Sequence, residues 1–392
     1  MRRIMDTKFN MKILFVHNSI PEYRIPWFRR MHELCEIKYV ITNEKLVKKI
    51  YKYDIESKEL ADMDFLILNK CVKGISQLYT LGKNIRKYDY VELPPVDSLR
   101  ELWISYILTK VCRKNRVVLG YFWEKWEAPK DKQPVKRKIK NRILGTAAKF
   151  IYKRADIIFA GGNLSKKYFI DNGIDEEKIY ILPNTSETPQ CAISDLRNQY
   201  GIGDRRVLLY FGRIIQEKGL DYLIKAYAKL KNQEDFFLMI AGQGEYRLEC
   251  ERLANELHIK NLCFVGPVLP NERANYFSQC DMFIFPGTFR NGCVDVWGLT
   301  INEAIQHKKI LISTNAVGSA NDLIFNGING YLVEAENVDA LCEAIEKAAK
   351  NQFLQETTFA KDLELGKLYS YDSMAGVYLE TVKKQLNDRG NI

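Results

Sequence analysis

Short apolar runs alternate with helical stretches along the chain, and this alternation constrains the fold more than any other feature. The runs are rich in β-branched and aromatic residues, which is typical of strands buried on both faces of a parallel sheet. We therefore predict an α/β protein with doubly wound parallel sheets. Eleven runs are predicted as strands: residues 13–17, 37–41, 65–68, 117–121, 157–160, 179–182, 207–211, 236–241, 263–265, 282–285 and 310–313.

The strands fall into two series, separated near residues 183–203 by a polar stretch that includes Asn184–Pro189. A chain of 392 residues is long enough for two or three domains. We predict Rossmann-like domains over 1–188 and 189–368, and a closing helix within 369–392 that follows the N-cap residues Asp372 and Ser373. Ligands of such sheets bind beyond the carboxyl ends of the strands.

Positive charge is concentrated in the first half of the chain. Residues 1–190 carry a formal charge of +14, whereas residues 191–392 carry −4. A half this basic is typical of a protein that meets a polyanion, such as nucleic acid, an acidic substrate or an anionic membrane. No recognised nucleic-acid-binding motif accompanies the charge, so no nucleic-acid partner is predicted.

The excess is greatest in Lys130–Arg154, which holds ten basic residues and one acidic residue. Ile139, Ile143 and Ile151 recur there at helical spacing, which predicts a basic amphipathic helix beginning after Pro134. Its apolar stripe can pack on the core of the protein or lie on an anionic membrane, and both alternatives remain open.

Composition bears on location and on metals. No uncharged apolar run approaches the ~18 residues of a spanning helix, and the first ten residues are polar rather than signal-like. Nine cysteines without CxxC spacing and four scattered histidines predict reduced thiols and no cysteine or histidine metal centre. We expect a cytoplasmic protein, peripheral on the inner face of the cell membrane.

Two basic residues follow the predicted strand 207–211. Gly212-Arg213 and Lys218-Gly219 lie between this strand and a helix that begins near Leu220. A glycine lets backbone approach a ligand, and two cations at the start of a helix can bind a diphosphate. Solvated cations in an ordinary turn are the alternative. Glycine turns also follow the next strands, at Gly242–Gly244 and Gly266–Val268. A flat base can rest on such backbone, and an ordinary turn is the alternative.

The stretch that follows the predicted strand 282–285 carries two acids. Gly298, Leu299 and Thr300 would present backbone N–H groups at the N-terminus of a helix, where an anion binds. Asp295 precedes this helix and Glu303 lies on it. A carboxylate accepts hydrogen bonds from paired sugar hydroxyls, so both acids are candidate sugar ligands.

In combination these stretches resemble the donor-binding domain of the family-4 retaining glycosyltransferases, which have the GT-B fold of two Rossmann-like domains facing a cleft. The resemblance covers roughly residues 205–350 and includes Asn329–Val333. It implies that Arg213 and Lys218 bind the diphosphate of a nucleotide sugar, that Asp295 contacts the sugar and that Glu303 binds the ribose. It also implies that Gly212, Gly266, Val268, Gly298, Leu299 and Thr300 line the donor site.

This chain departs from the family pattern at two places. The family most often has glutamate where Asp295 stands, so the acid is shorter here by one methylene. Many members have a histidine after the strand that corresponds to residues 117–121. This chain has no histidine in residues 122–126, and Glu124 is the nearest polar candidate there. Glu124 and His17 are therefore the catalytic candidates of the first half, and His17 can equally be a structural residue. Trp123 and Trp126 can stack on sugar rings or pack in the protein.

The sequence favours a retaining glycosyltransferase that uses a nucleotide-sugar donor and a glycan or lipid-linked acceptor in cell-surface polysaccharide biosynthesis. Arg213, Lys218 and the helix N-terminus would do the work of a metal ion, so no metal or cofactor is expected. Asp62 and Asp64 resemble a DxD metal motif, but they precede the predicted strand and are interpreted as a loop. A nucleotide-sugar epimerase and a non-catalytic binding protein are the alternatives.

Overall fold

The chain forms two compact units. The computed structural model describes residues 8–43, 62–68, 72–182, 184–192 and 194–390. Within the described residues, the first unit comprises Met1–Lys125, Val135–Pro183 and Tyr371–Ile392, and the second unit comprises Trp126–Pro134 and Asn184–Ser370. The final helix therefore belongs to the first unit, and a short stretch of the first half belongs to the second unit.

The first unit is built on a parallel sheet. Its described strands follow the order β3-β2-β1-β4-β5-β6-β7. The crossover direction reverses between β1 and β4, and such a switch point opens a crevice at the carboxyl edge of a sheet. The strands are β1 Lys12–His17, β2 Glu36–Ile41, β3 Asp64–Ile67, β4 Tyr90–Leu93, β5 Val118–Trp123, β6 Ile157–Ala160 and β7 Ile179–Ile181.

Helices cover both faces of this sheet, because apolar side chains alternate between the faces. Phe15 and Tyr39 are buried on one face together with Tyr378, and Leu14 and Leu119 are buried on the other. The described helices of this unit are α1 Ile25–Leu34, α2 Val72–Lys83, α3 Leu99–Asn115, α4 Val135–Tyr152, α5 Asn163–Asp171 and α14 Tyr371–Asp388.

The second unit repeats the design with the strand order β10-β9-β8-β11-β12-β13, and all of its described strand pairs are parallel. Its switch point lies between β8 and β11. The strands are β8 Arg206–Phe211, β9 Phe236–Ala241, β10 Leu262–Gly266, β11 Met282–Phe285, β12 Ile310–Thr314 and β13 Gly330–Val333. The helices are α6 Leu196–Gln199, α7 Leu220–Ala228, α8 Arg247–Glu256, α9 Arg273–Gln279, α10 Leu299–Gln306, α11 Gly318–Leu323, α12 Val338–Lys350 and α13 Leu354–Leu368.

The predicted α/β architecture is confirmed, and all eleven predicted strands are present within a residue or two of their predicted ends. Strands β4 and β13 were not predicted. Strand β4 is four residues long and contains a fully buried glutamate, Glu92, and β13 begins with Gly330. Asp64 is the first residue of β3 rather than a loop residue, and its carboxylate accepts a hydrogen bond from Lys38 at 2.6 Å.

The first half of the stretch predicted as a polar linker is buried, whereas Glu187 and Pro189 are exposed. Asn184, Thr185 and Ser186 are all buried within the second unit. The hydroxyl groups of Thr185 and Ser186 bind other groups of this unit: Thr185 donates to the Tyr369 carbonyl at 2.7 Å, and Ser186 donates to Glu303 Oε1 at 2.8 Å. A polar sequence can therefore form a buried segment, because other groups of the protein take the place of water as hydrogen-bond partners.

Helix α4 begins at Val135, directly after Pro134 as predicted, and its two halves have different surroundings. Ala148 and Ile151 of the C-terminal half are buried in the core, whereas Ile139 and Ile143 of the N-terminal half are exposed. The C-terminal half therefore packs on the core, whereas the apolar side chains of the N-terminal half lie at the surface. No helix within the described ranges combines the length and the apolarity needed to cross a bilayer.

A buried carboxyl group ties the final helix to the first sheet. The hydroxyl groups of Tyr90 and Tyr378 both donate to Glu92 Oε2, at 2.6 and 3.0 Å. Because Tyr378 lies on α14, this hydrogen-bond pair fixes the helix against the middle of the sheet. Burial raises the pKa of Glu92 to about 8, although the two hydroxyls favour the ionised form.

The raised pKa of Glu92 predicts pH-dependent stability. Between pH 4.5 and 8 an unfolded Glu92 ionises while the folded one stays protonated, so the free energy of unfolding should fall as pH rises through this window. The slope should approach ~1.4 kcal/mol per pH unit. Glu92→Gln cannot ionise and should lack this loss, as measured by urea unfolding at pH 5 and pH 8. The exposed control Glu22→Gln should behave as wild type. If the free energy of unfolding of Glu92→Gln fell between pH 5 and pH 8 as much as that of wild type, Glu92 would not be the source of the pH dependence.

Candidate donor site

Three loops meet at the carboxyl edge of the second sheet, and glycines permit their close approach. A Cβ atom on Gly242 would lie 1.8 Å from the Gly212 carbonyl oxygen, and one on Gly219 would lie 2.0 Å from the Pro286 carbonyl oxygen. Gly219 also has a φ of +67°, which L side chains adopt only with strain. The loops after β8, β9 and β11 are therefore packed backbone to backbone.

This packing brings Lys218 and Asp295 together at the switch point between β8 and β11. The Lys218 ammonium forms an ion pair with Asp295 Oδ2, and both side chains are largely buried. The same ammonium lies 5.0 Å from the centroid of the Phe285 ring, a cation–π contact. Two of the predicted donor ligands, far apart in sequence, are thus in direct contact.

Backbone contacts hold Asp295 in place. Its N–H donates to the Ala316 carbonyl at 3.0 Å, and its own carbonyl accepts from the Gly318 N–H at 2.8 Å. Three residues further on, Gly298 caps α10 with a φ of +79°, so that the amides of Leu299 and Thr300 lie in the first turn. The N-terminus of this helix presents N–H groups suited to an anion.

The remaining predicted donor residues lie on the neighbouring loops. Arg213 is exposed, and its carbonyl accepts a hydrogen bond from the Tyr210 hydroxyl at 2.7 Å. Gly212 N–H donates to Ala241 at 3.0 Å, and Gly242 N–H donates to the Gly266 carbonyl at 2.7 Å. Val268, two residues beyond Gly266, is half-buried.

Glu303 is almost completely buried, and both of its oxygens have partners that the sequence did not reveal. Oε1 accepts from the Ser186 hydroxyl at 2.8 Å and Oε2 accepts from Arg273 at 2.5 Å. The Arg273 guanidinium also lies 4.8 Å from the centroid of the Phe211 ring. Burial raises the pKa of Glu303, while Arg273 and Ser186 oppose that rise. The need for a partner was foreseeable, because a buried carboxylate requires one, but its identity was not.

The first unit has a polar cavity of about 150 Å³ at its own switch point, and it adjoins both catalytic candidates of the first half. Arg24, which the sequence did not mark as functional, forms an ion pair with Glu124 and lies 3.2 Å from His17 Nε2. Asn18 donates to Asp97 at 2.6 Å in the same cavity. Arg24 thus links His17 to Glu124.

His17 is held as a neutral imidazole. Because Arg24 can only donate, Nε2 of His17 must accept, and Nδ1 then carries the proton that is donated to the Ser19 carbonyl at 2.6 Å. Burial, together with the positive charge of Arg24, lowers the pKa of His17 to about 3. Both ring nitrogens are engaged, so His17 is arranged to orient Arg24 rather than to take up a proton.

The two tryptophans of the candidate sugar-stacking pair differ. Trp123 lines the cavity of the first unit, with the Lys125 ammonium 4.9 Å from its ring. Trp126 packs within the second unit, edge-on to Phe289. Across the described stretches of the chain, His, Cys, Asp and Glu side chains form no group of three or more that could hold a metal ion.

Comparison with known proteins finds similar sequences and similar folds. The sequence profile described as "Glycosyl transferases group 1" matches residues 193–362, which include Lys218, Asp295 and Glu303. This stretch is therefore similar to the glycosyl transferases group 1 family. This stretch contains the whole second sheet and the loops at its carboxyl edge.

Among similar proteins is the GDP-mannose-dependent alpha-(1-6)-phosphatidylinositol monomannoside mannosyltransferase of Mycolicibacterium smegmatis, 28% identical over 198 residues that cover 50% of each chain. The capsular polysaccharide biosynthesis glycosyltransferase CapM of Staphylococcus aureus is 28% identical over 217 residues, covering 52% of this chain and 54% of CapM. The chain thus spans about half the length of these relatives.

The fold is GT-B, as predicted. The solved structure of HepE from Anabaena, in complex with UDP, superposes with a TM-score of 0.73. The two proteins are 17% identical, and the match covers 95% of this chain and 100% of HepE.

The Glu303–Arg273 pair predicts an asymmetric effect on stability. Arg273→Met leaves a buried carboxylate without its cation and should lower the free energy of unfolding by roughly 2 kcal/mol, below the ~3–5 kcal/mol of fully buried pairs because Arg273 is partly exposed. Adding Glu303→Gln should recover part of the loss. Urea unfolding measures both, with the surface variant Arg252→Met as a control. If Arg273→Met and Arg252→Met lowered the free energy of unfolding equally, the Glu303–Arg273 pair would not contribute to stability.

Proposed function

We propose that this protein is a retaining, metal-independent glycosyltransferase that moves a sugar from a nucleotide-sugar donor to a glycan or lipid-linked acceptor in cell-surface polysaccharide biosynthesis. The observation that carries the proposal is the convergence of Lys218, Asp295 and the N-terminus of α10 at the switch point of the second sheet. The similarity of residues 193–362 to that family and the GT-B fold support the proposal.

In the proposed donor site, Lys218, Arg213 and the first-turn amides of α10 bind the diphosphate. When the bond between the sugar anomeric carbon and the diphosphate breaks, the leaving oxygen gains negative charge. A buried ammonium and oriented N–H groups stabilise that charge. The Lys218–Asp295 ion pair of the free protein would then be exchanged for a contact between Lys218 and phosphate, which releases Asp295 to face the electron-poor sugar.

The nucleoside is proposed to bind through Glu303 and the backbone turns at Gly266 and Val268. Glu303 would accept from ribose hydroxyl groups. Its two oxygens retain lone pairs beyond those used by Ser186 and Arg273, since each carboxylate oxygen can accept two hydrogen bonds.

The acceptor is proposed to bind in the cavity of the first unit. Glu124 is the proposed catalytic group of that unit, and His17 would act on it through Arg24. Retention of configuration rests on the family resemblance. The proposal does not specify the base or the sugar of the donor, because similar proteins differ in these: the mannosyltransferase is GDP-mannose-dependent, and HepE was solved with UDP.

We also propose that the protein is peripheral on the inner face of the cell membrane. Of the basic run Lys130–Arg154, the N-terminal half of α4 carries the proposed contact, because Val135, Ile139 and Ile143 are exposed there among lysines. Exposed apolar side chains beside basic ones favour an anionic lipid surface. Lys132, by contrast, forms an ion pair with Glu336 in the second unit at 2.9 Å.

A nucleotide screen tests the donor site. One of UDP, GDP, CDP and dTDP should raise the melting temperature, because a ligand of the folded state stabilises it by mass action. Lys218→Met should abolish that shift and lower turnover about a hundredfold, the usual effect of losing one transition-state donor. Asp295→Asn should keep the shift, since it removes the competing carboxylate, but should stop turnover. The matched control is Lys229→Met, at an exposed lysine that also pairs with an aspartate.

Turnover is measured as nucleotide release from the matching nucleotide sugar, with and without EDTA. Activity should be unchanged by EDTA, and its loss would contradict metal independence. A free epimerised sugar would instead indicate an epimerase. If the protein releases nucleotide from no nucleotide sugar but binds RNA, it is a binding protein without catalytic activity. A full thermal shift in Lys218→Met would show that the nucleotide binds elsewhere.

Vesicle flotation tests the membrane contact. The protein should float with vesicles that contain phosphatidylglycerol and not with pure phosphatidylcholine, and salt should weaken the binding. Replacing both Ile139 and Ile143 by serine should lower binding at least about tenfold, because the bilayer would no longer bury two apolar side chains. Leu248→Ser, at an exposed leucine of the second unit, is the control. Equal flotation of the Ile139/Ile143 variant and wild type would exclude this surface.

A further inference from the structure

The short segment Trp126–Pro134 belongs to the second unit, although the residues on either side of it belong to the first. It follows β5 and leads directly into α4. Within the second unit, it contacts the loop that connects β11 to α10, residues 286–297, which we name the Asp295 loop.

Trp126 contacts the Asp295 loop at both of its ends. The indole N–H donates to the Val296 carbonyl at 3.2 Å, immediately after Asp295 in sequence. The indole ring lies edge-on to Phe289, with 6.4 Å between ring centroids. Trp126 is 9% exposed, so the hydrogen bond is shielded from water.

Lys132 holds the start of the same loop through Glu336. Its ammonium lies 2.9 Å from Glu336 Oε2, while Glu336 Oε1 accepts from the Phe289 N–H at 3.1 Å. Glu336 has a φ of +64°, an uncommon conformation for a residue other than glycine. One carboxylate thus joins the segment Trp126–Pro134 to the Asp295 loop.

The space beside Val296 is too small for any further side chain. A Cβ atom on Gly318 would lie 2.1 Å from the Val296 carbonyl oxygen and 3.2 Å from Trp126 Nε1. The Val296 carbonyl is therefore enclosed by Trp126 and the Gly318 backbone. Any displacement of Trp126 changes the support of the residue that follows Asp295.

We propose that Trp126, assisted by Lys132, is a positioning residue that holds the Asp295 loop so that the Asp295 carboxylate faces the donor sugar. This inference rests on the proposed function for its effect on turnover. An aspartate has a short side chain with little reach, so its placement depends on the backbone that carries it. An error of about 1 Å in such a placement can lower the rate a hundredfold.

The contacts on the other side of the loop explain why nucleotide binding should survive. Arg290 is bound to Asp221 by two hydrogen bonds of 3.0 and 2.6 Å, and Thr288 N–H donates to the Glu217 carbonyl at 3.1 Å. These contacts fasten the loop to the turn that bears Lys218. They do not involve Trp126, so the backbone turn that bears Lys218 should keep its position when Trp126 is changed.

The test compares Trp126→Phe, which keeps an aromatic ring and removes the N–H, with Trp103→Phe, the same change at an exposed tryptophan of α3. In Trp126→Phe, kcat for nucleotide release should fall about tenfold, while the dissociation constant of the nucleotide selected by the thermal screen should change less than twofold. Lys132→Met and Glu336→Gln should each lower kcat by the same amount, and by less than Trp126→Phe does. The double variant should lower kcat no further than either single variant.

Hydrogen exchange gives a readout that does not depend on activity. Amides of residues 287–297 should exchange at least about tenfold faster in Trp126→Phe than in wild type, with α12 unchanged. Three results for Trp126→Phe would each overturn the proposal: unchanged exchange in that loop, unchanged kcat, or a loss of nucleotide affinity as large as the loss of kcat. If the wild type releases no nucleotide from any donor, the proposed function fails, and faster exchange would still show that Trp126 holds the loop.

Discussion

Lys218 and Asp295 meet because the loops that carry them leave neighbouring parallel strands at the same edge of one sheet. In the strand order β10-β9-β8-β11-β12-β13, β8 and β11 stand side by side although two strands separate them in sequence. The chain therefore opens a crevice between their carboxyl ends. Glycines at 219 and 242 let the neighbouring backbones close around it. The proposed chemistry depends on this geometry.

Buried charges connect the proposed donor site to the rest of the second unit. Glu303 is satisfied by Arg273 of α9 and by Ser186 of the segment that enters the unit, so the proposed ribose ligand is fixed by two distant parts of the chain. Asp221 of α7 is satisfied by Arg290 of the Asp295 loop in the same way. Removing one partner of such a pair leaves an uncompensated charge, so the loss of either residue should destabilise the unit.

The sequence predicted the strands best where local pattern and final environment agree. Runs such as Ile157–Ala160 and Phe236–Ala241 are apolar throughout and are buried throughout. Strand β4 escaped prediction because Glu92 is acceptable in a buried strand only when Tyr90 and Tyr378 supply hydroxyl groups. Tyr378 lies 286 residues away, and no local pattern reports such a partner. Ser186 was misjudged for the same reason, since its polar neighbours look like those of a solvated linker.

By itself, the sequence determined the α/β class, the two parallel sheets and the stretches from which the proposed donor ligands come, because apolar periodicity and glycine turns are local properties. Only the tertiary structure decided which groups face one another. It joined Lys218 to Asp295, gave Glu303 the partners Arg273 and Ser186, and placed Trp126 against the Asp295 loop. Such pairings depend on through-space distances between residues remote in the chain, which strand order fixes and residue spacing does not.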